Sequence, residues 1–380
     1  MRRCFFIKNL LVFFGGKSPE RDISVITGLL TLNSIDKNLF NPIPIYVDAN
    51  GIFFTGDELK NIQFYKKFDQ NKVFKVNFLF GEKTFFYQKR KKPVYEKIFC
   101  AINCMHGRGG EDGSFSALAR LLEIPFVGPD IFASSVSMDK DFTKTILSGT
   151  GINNTKYLRL KRLAFFEKGD LACAFITKKI GYPLIVKPAR LGSSIGITKV
   201  DNENELFSAL CQAFNYDDKV ICEQFLQGAV DINCAVYSIK NKIEVSKLEQ
   251  AMHIGDILSF SDKYSGGDKC VGSQRVSANW LDDKIQEQIK KYSREIYRQL
   301  DFKGIVRFDY LVRENEVFLN EINSVPGSLA YYLFCDKLSE FTTLLTNLIE
   351  DAVERKLKED NLLTFYSSNV LYCDYKNMKK

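Results

Sequence analysis

The chain has 380 residues, 45% of them hydrophobic and 26% charged, with a formal net charge of +7. This length exceeds one ordinary core and predicts two or three globular domains. The basic residues are scattered apart from Lys89-Arg90-Lys91-Lys92 and Lys379-Lys380, which argues against a nucleic-acid track and suits a site for small anions such as nucleotides.

The start, MRRCFFIKNLLVFF, has the basic head and apolar run of a signal peptide. Lys8 and Asn9 interrupt that run and no small-residue cleavage site follows, so it reads as a first β-strand ended by Gly15-Gly16. A helix through SVITGLLTLNSI and a second strand, NPIPIYVD, complete a βαβ unit of a parallel sheet. Residues 51–97, rich in Phe and Lys, predict extra short strands. AINC reads as a strand, HGRGGEDG as a glycine-rich loop and SFSALARLLEI as a helix opened by Ser114, before Pro125-Phe126-Val127-Gly128-Pro129 closes the first domain.

From Ser137 one helix over MDKDFTKTILSGTG stops at its glycines. Strands at NTKYLRL, YPLIVKPA and ITKV, a helix at ENELFSALCQAF and a strand at KVICEQFL give an α+β middle region. The third region has strands INCAVYSI and KIEVSKLE, a polar loop near 261–278 and the helix DKIQEQIKKYSREIYRQL. A strand pair and the amphipathic helix SEFTTLLTNLIEDAVERKLK follow, and the tail beyond is peripheral. No apolar stretch approaches the length of a membrane span. Ten cysteines without a C-x-x-C pair, and two distant histidines, argue against zinc and a disulfide scaffold and for a reducing, cytoplasmic setting. Cys100 and Cys104 read as core thiols.

The strand pair GIVRFDYLV and EVFLNEINS carries the most chemistry. Period-two alternation puts Arg307 and Asp309 on one face, and likewise Glu321 and Asn323, with Val306, Phe308, Tyr310 and Val312 buried opposite. Two carboxylates so close repel unless a cation sits among them, and all-oxygen ligands suit Mg²⁺. Arg307 beside such ions suggests a site for phosphate oxygens during phosphoryl transfer. A surface hairpin with a salt bridge accounts for the same residues.

The loop Gly192-Ser193-Ser194-Ile195-Gly196 follows Lys187, which ends an apolar strand; its glycines and serines suit an anion, or make a plain turn. It is not a Walker loop. Lys140 is a second phosphate lysine or an ordinary solvated one. His106-Gly107-Arg108-Gly109-Gly110-Glu111-Asp112-Gly113 lies where open α/β sheets line their ligand crevice, or is a long charged turn. Glu20 starts the first helix, where a carboxylate also offsets the helix dipole. Lys263-Tyr264 lies in a glycine-bearing loop able to fold over a site as a lid.

Together FFGGKSPERDIS, HGRGGEDG, SMDKDFTK, IVKPARLGSSIGITKV, KVICEQFL, SDKY, GIVRFDYLV and NEINSVPGS resemble the D-alanine–D-alanine ligases of the ATP-grasp superfamily, from about residue 12 to 335. The resemblance implies an α/β (α+β), three-domain ATP-grasp fold with an N-terminal parallel-sheet domain. Its limits are residues 1–135, a central 136–226, a metal-bearing 227–355 and a peripheral tail, 356–380. It implies ATP-dependent joining of two D-alanines through an acyl phosphate, for peptidoglycan synthesis, by a cytoplasmic enzyme, a homodimer without nucleic-acid or membrane partners. By matching position, Lys140 and Lys187 hold ATP phosphates beneath Ser193, Ser194 and Gly196. Glu223, Gln224, Phe225 and Leu226 take the adenine and ribose end. Asp309, Glu321 and Asn323 ligate two Mg²⁺, or Mn²⁺ in their place. Arg307 stabilises the intermediates, and Glu20, Ser193 and Tyr264 form a trio linking first domain, phosphate loop and lid. His106, Lys263, Gly327 and Tyr332 face the amino-acid substrates.

Two positions depart from the family pattern. Tyr332 falls where the family carries a serine for the second substrate's carboxylate, and Val230, with Asp231 one place later, falls where a ribose-binding acid is expected. The lid is also short, with Arg275 a candidate for work done there by other residues elsewhere. A ligase for another second substrate (D-lactate, D-serine or another amino acid) is the first rival reading. A nucleotide-binding regulator without chemistry is the second, against which stands the retention of Arg307, Asp309, Glu321 and Asn323.

Overall fold

Three sheets carry the chain in a computed structural model that describes residues 8–252 and 275–368. In the first sheet β1 (Lys8–Gly15), β2 (Phe40–Val47), β7 (Cys100–Asn103) and β8 (Phe126–Val127) run parallel. Leu10 to Phe14 are buried on both faces of β1, as expected of a strand in a sheet covered on both sides. Helix α1 (Arg21–Ser34) lies so close that a Cβ on Gly28 would overlap the Phe14 ring. Residues 51–97 form β3 (Phe53–Thr55), β4 (Phe74–Leu79), β5 (Thr84–Lys89) and β6 (Lys92–Lys97), which extend the sheet as an antiparallel meander in the order β6-β5-β4-β3-β2-β1-β7-β8. The phenylalanines of this segment pack edge-on, for example Phe53 on Phe78 at 5.4 Å and Phe54 on Phe68 at 5.5 Å. Cys100 and Cys104 are buried, with their thiols pushed up to about 12 by desolvation.

Helix α2 (Ser114–Leu121) closes this unit, and α3 (Ile131–Met138) and α4 (Lys140–Ile146) lead to the next. The helix expected from Ser137 begins at Lys140, and α3, before it, is additional. Asp139 separates the two with an extended backbone and accepts the Asp141 and Phe142 N–H groups, capping α4. The second sheet is antiparallel: β9 (Tyr157–Lys161), β10 (Leu184–Pro188), β11 (Thr198–Val200) and β12 (Lys219–Gln224), in the order β11-β10-β12-β9. Helices α5 (Arg162–Glu167) and α6 (Gly169–Lys179) are additional to the expected elements, and with α7 (Glu203–Ala213) they cover this sheet through Phe165, Ile176 and Leu210.

The third sheet combines β13 (Val230–Ile239), β14 (Lys242–Val245), β15 (Glu249–Ala251), β16 (Arg275–Ser277), β17 (Val306–Arg313) and β18 (Glu316–Asn323). Its apolar face packs on α8 (Asp283–Gln299) through Ile285, Ile289 and Ile296. The last helix, α9 (Leu338–Asp360), covers the helix expected over SEFTTLLTNLIEDAVERKLK and crosses the domain limit expected at residue 355. Its Phe341, Leu345, Leu348 and Ile349 share one core with Leu10, Val12 and Phe14 of β1. The first sheet is therefore sealed by a helix far along the chain. Backbone also meets backbone between the first and third units, where a Cβ on Gly304 (φ +71°) would stand 3.1 Å from Gly128. No helix among the described residues is long and apolar enough to cross a membrane.

Because Leu345 is fully buried in that shared core, Leu345→Ala is expected to lower stability by about 3 kcal/mol through transfer and cavity terms. Urea unfolding measures it; a loss under about 1 kcal/mol would mean that α9 does not seal the first core.

Candidate active site

Strands β17 and β18 pair with Arg307 opposite Asn323 and Asp309 opposite Glu321. Phe308, Tyr310 and Val312 are buried on the other side, so the expected alternation holds. Both Arg307 Nε and Nη2 donate to Asp309, at 2.7 and 2.9 Å, and Asn323 Nδ2 donates to Asp309 Oδ2 at 2.9 Å. The register shifts between Asp309 and Tyr310, leaving Asn320 as an extra residue in β18. Such a bulge re-aims side chains. Asn320 Oδ1 accepts from Lys187 Nζ at 3.2 Å, which ties the third sheet to the second.

Lys187, on β10, also lies 2.8 Å from Glu223 Oε2 on neighbouring β12. Lys144 meets the other oxygen, Glu223 Oε1, at 3.2 Å and donates to Thr155 Oγ1 at 3.2 Å. Burial alone would raise the Glu223 carboxyl, but the two lysines hold it at about 2. Desolvation lowers Lys144, against the opposing pull of Glu223. Lys140 stands one turn earlier on α4; its Nζ donates to the Leu191 carbonyl at 2.7 Å and lies 3.5 Å from Glu321 Oε2. The base of α4 is fixed by Lys219, 2.6 Å from Asp139 and 3.1 Å from Asp141.

Glu20 occupies the N-cap of α1 but makes no capping hydrogen bond. Its Oε1 instead accepts a short hydrogen bond from Ser193 Oγ, joining the first unit to the glycine-serine loop. Ser193 and Ser194 hold left-handed φ of +52° and +58°, and a Cβ on Gly192 would reach Glu20 Oε1 at 2.9 Å. On the other side of Glu20, Glu111 accepts Gly107 N–H at 2.8 Å and Val325 N–H at 3.0 Å. Desolvation, then the nearby Glu20 charge, raises the Glu111 carboxyl.

His106 is buried, with Nε2 2.9 Å from Thr27 Oγ1. Desolvation lowers its pKa to about 4, so the ring is neutral near pH 7. Gly327 opens a 3₁₀ turn ending at Leu333, and Tyr332 is partly buried against the core shared with α9. Gln224 ends β12; beyond it Leu226 is buried and the Phe225 ring lies 4.9 Å from Lys199 Nζ. Val230 and Asp231 open β13 opposite Val312 and Leu311. Lys263 and Tyr264 lie outside the described residues.

The structure thus gathers Lys140, Lys187, Glu223, Asp309, Glu321 and Asn323 around one space, with Glu20 and Ser193 beside it. Among the described residues no three His, Cys, Asp or Glu side chains form a metal site. The oxygen set present is two carboxylates and an amide, which fits a hard divalent cation. Sequence reasoning missed Lys144, Asn320, Glu111 and Thr27 as site residues. Lys144 was findable, since four residues after Lys140 puts it on the same face of a helix.

The family model described as the D-ala D-ala ligase N-terminus matches residues 9–129, and that for the C-terminus matches residues 146–354. A D-alanine–D-alanine ligase from Thermosipho melanesiensis is 34% identical over 369 residues, covering 96% of this chain and 98% of the relative. The crystal structure of D-alanine–D-alanine ligase from Helicobacter pylori superposes with a TM-score of 0.72 at 30% identity, covering 90% of this chain and 98% of that one. VanG D-Ala:D-Ser ligase from Enterococcus faecalis matches with a TM-score of 0.72 at 25% identity, over 92% and 99% of the two chains.

Removing Lys144 leaves Glu223 paired with Lys187 but takes the partner from its buried Oε1 and from Thr155. Lys144→Met is expected to destabilise the protein by about 1–2 kcal/mol. A urea midpoint equal to that of the unaltered chain would show that Lys187 neutralises Glu223 alone.

Proposed function

Because the chain belongs to the D-alanine–D-alanine ligase family, we propose that it joins two D-alanines, with ATP and a divalent metal ion, into the dipeptide precursor of peptidoglycan. The single observation that carries the assignment of residues is the approach of two lysines to strand β18, Lys140 to Glu321 and Lys187 to Asn320, beside the Asn323–Asp309 pair. Such a space suits a polyphosphate next to a cation.

The carboxylate of the first D-alanine attacks the γ-phosphorus of ATP, forming a C–O–P linkage as the bond to ADP breaks. The amine of the second then forms the C–N bond and phosphate leaves, with one proton lost from the nitrogen. Neither step needs a protein nucleophile, so positioning and charge stabilisation supply most of the rate. Lys140 and Lys187 take the phosphate oxygens, with the backbone of Ser193, Ser194 and Gly196 above them. Gln224, Phe225 and Leu226 take the adenine end, next to Glu223, which fixes both Lys144 and Lys187. Asp309, Glu321 and Asn323 would hold the divalent ions, two in our reading, whose chemistry is to neutralise the phosphate oxygens. Arg307, oriented by its two-point contact with Asp309, faces the charge that develops on the acyl carbon's oxygen and on the phosphate. Glu20 takes the first D-alanine's ammonium group and keeps the Ser193 loop in register; Lys263 and Tyr264 serve the lid.

The three sheets support a division into three domains near the limits read from the sequence, with α9 attached to the first. We place the enzyme in the cytoplasm as a homodimer.

ADP release coupled to D-alanine is the test; no D-alanine-dependent turnover at saturating ATP and Mg²⁺ would sink the assignment. Running D-serine and D-lactate in parallel, with products identified by mass, decides the acceptor, on which Tyr332 bears. Glu321→Gln and Arg307→Ala are each expected to lower kcat by roughly 10²–10³ while the fold persists. Near-normal rates in either variant would remove its assigned role.

A further inference from the structure

Ser328, Leu329 and Ala330 hold consecutive φ of +53°, +50° and +47°. Residues with a Cβ enter the left-handed region singly, not in runs. A turn of three in a row persists only where its surroundings hold it. The turn follows β18, the strand of Glu321 and Asn323, after Ser324, Val325 and Pro326, and ends at Tyr332 and Leu333.

A chain of hydrogen bonds from the first domain grips both ends of the segment leading into this turn. Ser328 N–H donates to Thr27 Oγ1 at 2.9 Å. The Thr27 hydroxyl lies 2.9 Å from His106 Nε2. Having accepted the Ser328 N–H, it has its own proton to give to that nitrogen. The Val325 N–H is given to Glu111, on the loop that follows His106, at 3.0 Å. The first domain thus holds the segment at Val325 and again at Ser328. Thr27 is fully buried and His106 is 4% exposed. A neutral imidazole, as its lowered pKa provides, is what this proton arrangement requires.

We propose that Thr27 and His106 are positioning residues for the second amino acid: they clamp the left-handed turn between Val325 and Tyr332, and so preform the acceptor pocket. This rests on the ligase reading above and changes the part expected of His106 from substrate contact to support of the turn. A loosened turn leaves ATP and the first D-alanine seated, since Glu20, Lys140, Lys187, the Ser193 loop and the residues assigned to the metal all lie outside the segment from Val325 to Tyr332. The acceptor, which meets the turn itself, binds more weakly.

Initial rates of ADP release over a wide range of D-alanine concentration give a KM for each amino-acid site. Thr27→Val removes the hydroxyl at nearly constant volume. We expect the acceptor KM to rise about ten-fold, the size of one lost buried hydrogen bond, with kcat and donor KM within about two-fold. Thr27→Ser restores the hydroxyl and the acceptor KM. Ser328→Gly in the Thr27→Val background recovers part of the loss, because glycine holds positive φ without strain. A thermal melt checks folding; if Thr27→Val does not fold, Thr27→Ala, which also removes the hydroxyl, must give the same split. An unmoved acceptor KM, or equal loss at both sites and in kcat, overturns the clamp while leaving the ligase reading intact. A wild-type chain that never turns over D-alanine overturns both.

Discussion

Three lysine ammonium groups, those of Lys140, Lys144 and Lys187, are buried within reach of only two carboxylates among the described residues, Glu223 and Glu321. Unit charges about 4 Å apart interact by roughly 4 kcal/mol in a medium of intermediate dielectric, so their placement governs much of the surrounding structure. Asp139 and Asp141, with Lys219 between them, anchor the helix that brings Lys140 and Lys144 forward. The antiparallel register of β10 and β12 sets Lys187 beside Glu223. The excess positive charge is what an incoming triphosphate would neutralise. Arg307 and Asp309 resolve their own charges against each other one strand away, which keeps the two halves of the space electrostatically distinct.

Strand β18 shows where reading by alternation succeeds and where it stops. Period two was enough to put Arg307 and Asp309 on one face of their strand and Glu321 and Asn323 likewise on theirs, because buried Phe308 and Tyr310 fix the opposite side. It could not show that Asn320 is an inserted residue. An Asn between Leu319 and Glu321 has the composition of an ordinary strand position, and only the pairing with β17 reveals the shift. That shift is what lets Lys187 of another sheet find an amide oxygen on this one.

Elsewhere the same contrast recurs. The βαβ start, the short strands over 51–97 and the hairpin were legible because apolar periodicity and glycine turns mark them, though the order in which those strands pair was not. The break at Asp139 was not, since MDKDFTK keeps helical spacing across it and the capping role of one aspartate is decided by its extended backbone. Helices α5 and α6 were passed over because Gly169 separates two short apolar groups, neither periodic for long. Thr27 looks like any helix threonine until residues 106 and 328, far along the chain, come to lie on either side of it. Glu111 was seen as part of a loop, but its hold on Val325 N–H depends on how two domains meet.

The helix α9 closes a core whose other walls are made by the first residues of the chain. During translation the parallel strands leave the ribosome well before their cover does. At about 5–20 residues per second, the roughly 200 residues between the end of the first domain and α9 take about 10–40 s to appear. Through that interval the apolar flank formed by α1 and the core-facing side of β1 is open to water and to chaperones. The parallel-sheet domain is therefore finished only once a helix far along the chain has been made.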